Sequence, residues 1–91
     1  MSSWTGKGAA TRVHAPGFDA DFGLLPEAMR ERIEAKLYEM GRRLAEFPHH
    51  RMKGSEDFRL RVGDYRIIYD FNVEQNVIHL FAVGNRREIY R

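Results

Sequence analysis

The sequence predicts an α+β domain: a small antiparallel sheet, ordered β-α-(α)-β-β-β, with helices packed on one face. Three observations predict it. A long helical stripe occupies the middle of the chain, two-residue periodicity takes over after Gly54, and Gly63-Asp64 joins two alternating runs at hairpin spacing. At 91 residues the chain has room for one hydrophobic core.

Residues 1–10 are small and polar and read as a flexible leader, with a single domain over residues 11–91. Residues 11–14, closed by Ala15-Pro16-Gly17, have the make-up of a short edge strand and its turn. Residues 18–24 suit a short helix that Gly23 and Pro26 keep brief. Leu25, Met29, Ile33, Leu37, Met40, Leu44 and Phe47 then recur at steps of three and four, the core stripe of a helix. Pro26 suits the first helical position and Glu27 the positive end of the dipole, while Pro48 disfavours helical geometry at Phe47. These limits predict a helix over residues 26–46. Downstream, Phe58, Leu60 and Val62 alternate with Arg59 and Arg61 in a strand over residues 57–62. Residues 65–71 are β-branched and aromatic, residues 72–76 form a loop, and residues 77–83 make a buried third strand. Gly84-Asn85 is expected to end that strand, leaving residues 86–91 as a charged tail that carries Tyr90.

The absence of cysteine excludes a disulfide scaffold, thiol catalysis and thiolate zinc sites. No apolar run approaches the ~18–20 residues of a membrane span, and the first residues lack signal-peptide order. A cytoplasmic setting with no membrane partner is therefore expected. There is no Gly-rich phosphate loop, no His-x-x-x-His pair and no Gly-x-Ser-x-Gly elbow, so no metal or cofactor is expected. Through Pro48 seven basic residues balance seven acidic ones, whereas from His49 onward eight basic residues, seven of them arginine, face six acidic ones. Arginine's planar fork suits phosphate better than lysine's point charge.

A two-residue turn at Gly63-Asp64 fixes a register in which Val62 opposes Tyr65, Arg61 opposes Arg66, Leu60 opposes Ile67 and Arg59 opposes Ile68. Phe58, Leu60, Ile67 and Tyr69 then share the core face, and Arg59, Arg61 and Arg66 share the other. Like charges facing one another on a sheet repel. Two readings follow. The cluster is a phosphate site, or Asp57, Asp64 or Glu88 pairs with these arginines on a solvated face.

The stretch RMKGSEDFRLRVGDYRIIYDF (Arg51 to Phe71), followed by VIHLFAVGNRREIYR (Val77 to Arg91), resembles the RelE/ParE superfamily of toxins from toxin–antitoxin pairs. The shared elements are a Lys-Gly turn, a basic hairpin and a last strand running into GNRREIY. The tyrosine shortly after an arginine in the tail resembles the RelE ribonuclease branch. The resemblance implies an mRNA interferase of a type II pair, an endoribonuclease that cuts messenger RNA in the ribosomal A site without a metal or other cofactor. In such a reaction a ribose 2′-hydroxyl attacks the adjacent phosphate. By the same resemblance, Arg59 and Arg61 position and neutralise, Arg66 stabilises the phosphorane, Arg86 acts on the leaving oxygen, and Tyr90 stacks on a base. Arg51, Lys53, Arg87 and Arg91 would attract RNA more generally.

The general base is the open role. RelE-type chains carry lysines where this one has Arg59 and Arg61, and a guanidinium is a poor base. His50 and Glu56 are the candidates, with His49 and the more distant His79 behind them. The implied partners are a cognate antitoxin protein, the ribosome and mRNA, with promoter DNA bound through the antitoxin of the complex. Two alternatives remain: a ParE-like inhibitor of DNA gyrase, and a non-catalytic member that only binds its antitoxin.

Overall fold

The computed structural model describes residues 8–85. Along the chain run β1 (Thr11–His14), α1 (Pro16–Gly23), α2 (Glu27–Arg42), β2 (His50–Arg51), β3 (Phe58–Val62), β4 (Tyr65–Asn72) and β5 (Val77–Asn85). The strands form one five-stranded sheet in the order β1-β5-β4-β3-β2. β3, β4 and β5 pair antiparallel, as expected, and β2 adds a further antiparallel strand beside β3. β1 departs from that expectation. It lies parallel to β5, with Thr11 beside Val77 and His14 beside Leu80, so the sheet is mixed. Parallel neighbours need a crossover rather than a hairpin. Residues 15–76 supply it, and alternation in a four-residue edge strand carries no mark of direction.

Both helices cover one face. Phe18 of α1 and Ile33, Leu37 and Met40 of α2 are buried against Leu60, Val62, Ile67, Tyr69, Ile78, Leu80 and Val83 of the sheet. α1 starts two residues before the expected 18–24 span because Ala15 is extended and Pro16 opens the helix, its fixed φ suiting the first turn. Phe18 then anchors α1, stacked on Phe22 with ring centroids 5.5 Å apart.

α2 is shorter than the 26–46 helix read from the stripe. Pro26 caps it from outside, and the backbone leaves helical geometry at Arg43. The reason is a close approach: Ala10 N–H donates to the Gly41 carbonyl at 3.0 Å. A Cβ on Gly41 would meet Ala10 N at 3.2 Å. The remaining stripe residues, Leu44 and Phe47, still reach the core through a turn in which Phe47 N–H donates to Arg43 O. Spacing predicted which side chains are buried, and a turn delivers them as well as a helix does. The residues before β1 are tied down from Gly8 onward, since Asn76 Nδ2 also donates to Gly8 O.

Two further differences lie near the site. The two-residue strand β2 was not read from sequence, Pro48 just before it having no N–H to continue a ladder. β5 does not stop at Gly84-Asn85 but runs through both, Gly84 opposite Arg66 and Asn85 opposite Tyr65. Glycine weakens a strand on its own, but beside a bulky arginine it leaves room for the neighbour. Among the described residues no helix is long and apolar enough to cross a membrane.

Candidate functional site

Gly63 takes φ +60°, the positive value that a II′ turn demands of its first central residue, and β3 and β4 close around it. The register is the expected one, Arg61 beside Arg66 and Arg59 beside Ile68. Extended across the sheet, it sets two rows on the face away from the helices. One reads His50, Arg59, Ile68, Ala82; the next reads Arg61, Arg66, Gly84. Cations thus occupy β3 and β4, while β5 contributes only small side chains beside them.

His50, Arg59 and Arg61 line a single cavity of about 310 Å³. Arg59 is half-buried and Arg61 exposed, whereas Arg66 is only 5% exposed. Burying a guanidinium is costly unless polar contacts hold it, so Arg66 is the fixed member of the set and Arg61 the adaptable one. Among the described residues Arg61 has no carboxylate within ion-pairing distance. The Asp57 and Asp64 alternative therefore does not apply to it. Asn85, where the described chain ends, lies beside Tyr65, one residue from the Arg66 row.

His49 has a different setting. Its Nε2 lies 2.8 Å from the Leu44 carbonyl, which can only accept, so Nε2 carries the proton. Nδ1, 2.6 Å from the Tyr69 hydroxyl, then accepts from it. The ring stacks on Phe71 at 3.8 Å between centroids and meets Phe58 edge-on. Burial, with a smaller push from the adjacent His50, lowers the His49 pKa against the raising effect of the Leu44 carbonyl. Burial likewise pushes the Tyr69 hydroxyl above its ordinary range.

Of the candidate bases, the structure brings only His50 to the arginines. His49 has both ring nitrogens engaged and lies outside that cavity. Glu56 lines a separate cavity of about 500 Å³ with Arg51, Lys53 and the Gly54 turn. His79 bonds Asp70 at 2.8 Å, three register steps along β5 from Ala82. Arg51 pairs with Phe58 and so lies on the helix side, its guanidinium 5.4 Å over the Phe58 ring. Arg86, Arg87, Tyr90 and Arg91 lie outside the described residues. Sequence reasoning missed β2, and with it the pairing that puts His50 beside Arg59. The signal was present in Pro48-His49-His50, where a proline stop precedes two residues of opposite facing. Chemically, the cavity offers the Arg59 and Arg61 guanidinium forks for a tetrahedral or pentacovalent phosphate and one imidazole for a proton, with the buried charge of Arg66 directly opposite Arg61.

Solved structures share this arrangement of strands and helices. The toxin–antitoxin complex RelBE2 from Mycobacterium tuberculosis aligns with TM-score 0.71 at 17% identity, covering 87% of this chain and 93% of that one. The isolated Escherichia coli RelE toxin aligns with TM-score 0.70 at 21% identity, covering 90% and 92%. The RelB–RelE antitoxin–toxin complex from Methanococcus jannaschii aligns with TM-score 0.67 at 28% identity, covering 86% and 94%. Among curated proteins no sequence matches this chain. The family model for the ParE toxin of type II toxin-antitoxin system, parDE, matches residues 15–90. With that match spanning both helices and the whole arginine hairpin, the chain belongs to the RelE/ParE superfamily of type II toxins.

Proposed function

We propose that this toxin is an endoribonuclease that cuts messenger RNA in the ribosomal A site and is silenced by a cognate antitoxin. One observation carries the reading: Arg59, Arg61 and His50 line one cavity, with Arg66 directly opposite Arg61 on β4. The ribose 2′-oxygen attacks the adjacent phosphorus and the bond from phosphorus to the 5′-oxygen breaks. The products are a 2′,3′-cyclic phosphate and a 5′-hydroxyl. His50 takes the 2′-hydroxyl proton, and the three guanidinium groups neutralise the charge that develops on the phosphoryl oxygens. Arg86 would act on the leaving oxygen and Tyr90 would hold a base in line. An antitoxin that covers the arginine face, or the outer surface of α2 around the exposed Tyr38, would block the reaction sterically.

The family model itself favours a second reading, inhibition of DNA gyrase, because it is the ParE toxin's. Translation in vitro on a defined message, with cut sites mapped by primer extension, separates the two. Cuts at A-site codons that appear only with translating ribosomes support the ribonuclease. An intact message together with arrested supercoiling by gyrase overturns it.

A further inference from the structure

The first half of the chain is neutral by count, but α2 is not neutral around its circumference. Arg32 and Lys36, one turn apart, lie on the flank facing β3, and the Arg32 guanidinium sits 3.3 Å from where a Cβ on Gly63 would be. Glu27, Glu31 and Glu34 recur on the opposite flank, where Glu34 meets Arg12 of β1 at 2.8 Å. Between α2 and the hairpin is a second cavity of about 310 Å³, lined by Arg32, Ala35, Lys36, Glu39, Arg61, Val62 and Gly63. Arg61 lines both this cavity and the one it shares with His50 and Arg59. Glu39 is the single acid on the flank, 3.7 Å from Lys36 and 3.3 Å from Arg43. Arg32, like Arg61, has no carboxylate within ion-pairing distance among the described residues.

We infer that single-stranded RNA runs from the arginine cluster past the hairpin edge onto this flank, with Arg32 and Lys36 neutralising phosphates next to the one held by Arg59, Arg61 and Arg66. The inference rests on the RNA reading above and extends it to the flanking strand. A polyanion of regular charge spacing fits because Arg61 lines both cavities, so one cation borders each, and two of the three cations here are arginine. An acidic peptide from a protein partner is the competing occupant.

The test is equilibrium binding of the full-length protein to non-cleavable 2′-deoxy oligonucleotides of three and nine nucleotides across a salt series. A ten-residue polyglutamate peptide serves as the competing probe. Arg32→Ala/Lys36→Ala should weaken the nine-mer roughly 10-fold and flatten its salt slope by roughly 1.4, two phosphate contacts at about 0.7 each, while leaving the three-mer unchanged. Glu39→Gln should tighten the nine-mer about 2–3-fold, a gain that no loss of folding produces. A nine-mer indifferent to all three substitutions overturns the track but leaves the cleavage reading standing. Loss of peptide binding with the nine-mer unaffected overturns it in favour of a protein dock. A wild type that binds neither oligonucleotide overturns the track and leaves the ribosome-dependent cleavage reading to its own test.

Discussion

His49 and His50 are neighbours in the chain and opposites in their settings. His49 points to the helix side, clamped between the end of α2 and β4 within a cluster of Phe47, Phe58, Tyr69 and Phe71. His50 faces the other way, exposed among arginines. His49 precedes β2 and is held by the Leu44 carbonyl and the Tyr69 hydroxyl, whereas His50 is the first residue of the strand and pairs with Arg59. One side of the junction is built for packing, with both ring nitrogens of His49 held in internal hydrogen bonds. The other leaves the His50 ring lining a cavity and contributes little to the core.

Substitutions should separate the two faces, and the largest effect is expected on the arginine side. Arg61→Ala should slow cleavage on programmed ribosomes by roughly 10²–10³-fold, because it removes a donor aimed at transition-state charge. Its urea midpoint should stay within error, the side chain being exposed. Next, His50→Gln should cost about 10²-fold in single-turnover cleavage on programmed ribosomes, because it removes the imidazole that accepts the 2′-hydroxyl proton. A His50→Gln enzyme that cleaves at the wild-type rate would put the base elsewhere.

On the packed face the readout is stability. His49→Ala should lower the unfolding free energy by about 2 kcal/mol, through the lost stack and the stranded Tyr69 hydroxyl and Leu44 carbonyl, as measured by urea denaturation. His49→Phe, which keeps the stack, should recover part of that loss. The smallest effect is on pH dependence. Burial holds the folded His49 pKa below its ordinary 6.5, so the unfolded chain takes up a proton before the folded one does. This contribution is complete above 6.5 and falls away as pH drops below it, until the folded ring protonates too. His49→Phe should remove that part of the acid slope. A slope unchanged in the variant would mean that another group carries it.

The hairpin was readable in the sequence because its alternation and its turn specify the same register, and a one-residue slip would have put Leu60 and Ile67 in water. The arginine set followed from that register alone. Three features were not readable, each because a contact outside the element's own residues decides it. α2 ends early where Ala10 crosses Gly41. β1 takes its direction from β5. β2, too short to show a period, exists because Arg59 and Phe58 give it partners. The separation of His49 from the candidate bases has the same origin, since Tyr69 lies twenty residues away. Gly84 was read as a strand breaker because glycine in isolation is one, yet opposite Arg66 it is a space.

The parallel pairing of β1 with β5 also bears on synthesis. Thr11 waits for Val77, and α1 packs against the same strand, so the edge of the sheet cannot close until residues 77–85 have been made and have cleared the exit tunnel. Until then β1 and α1 have no strand to settle on. A nascent chain that has not yet delivered β5 is therefore denied a closed sheet, however long its first strand has been out of the ribosome. Of the five strands, the one that chain growth supplies last is the one on which the first strand and the first helix depend.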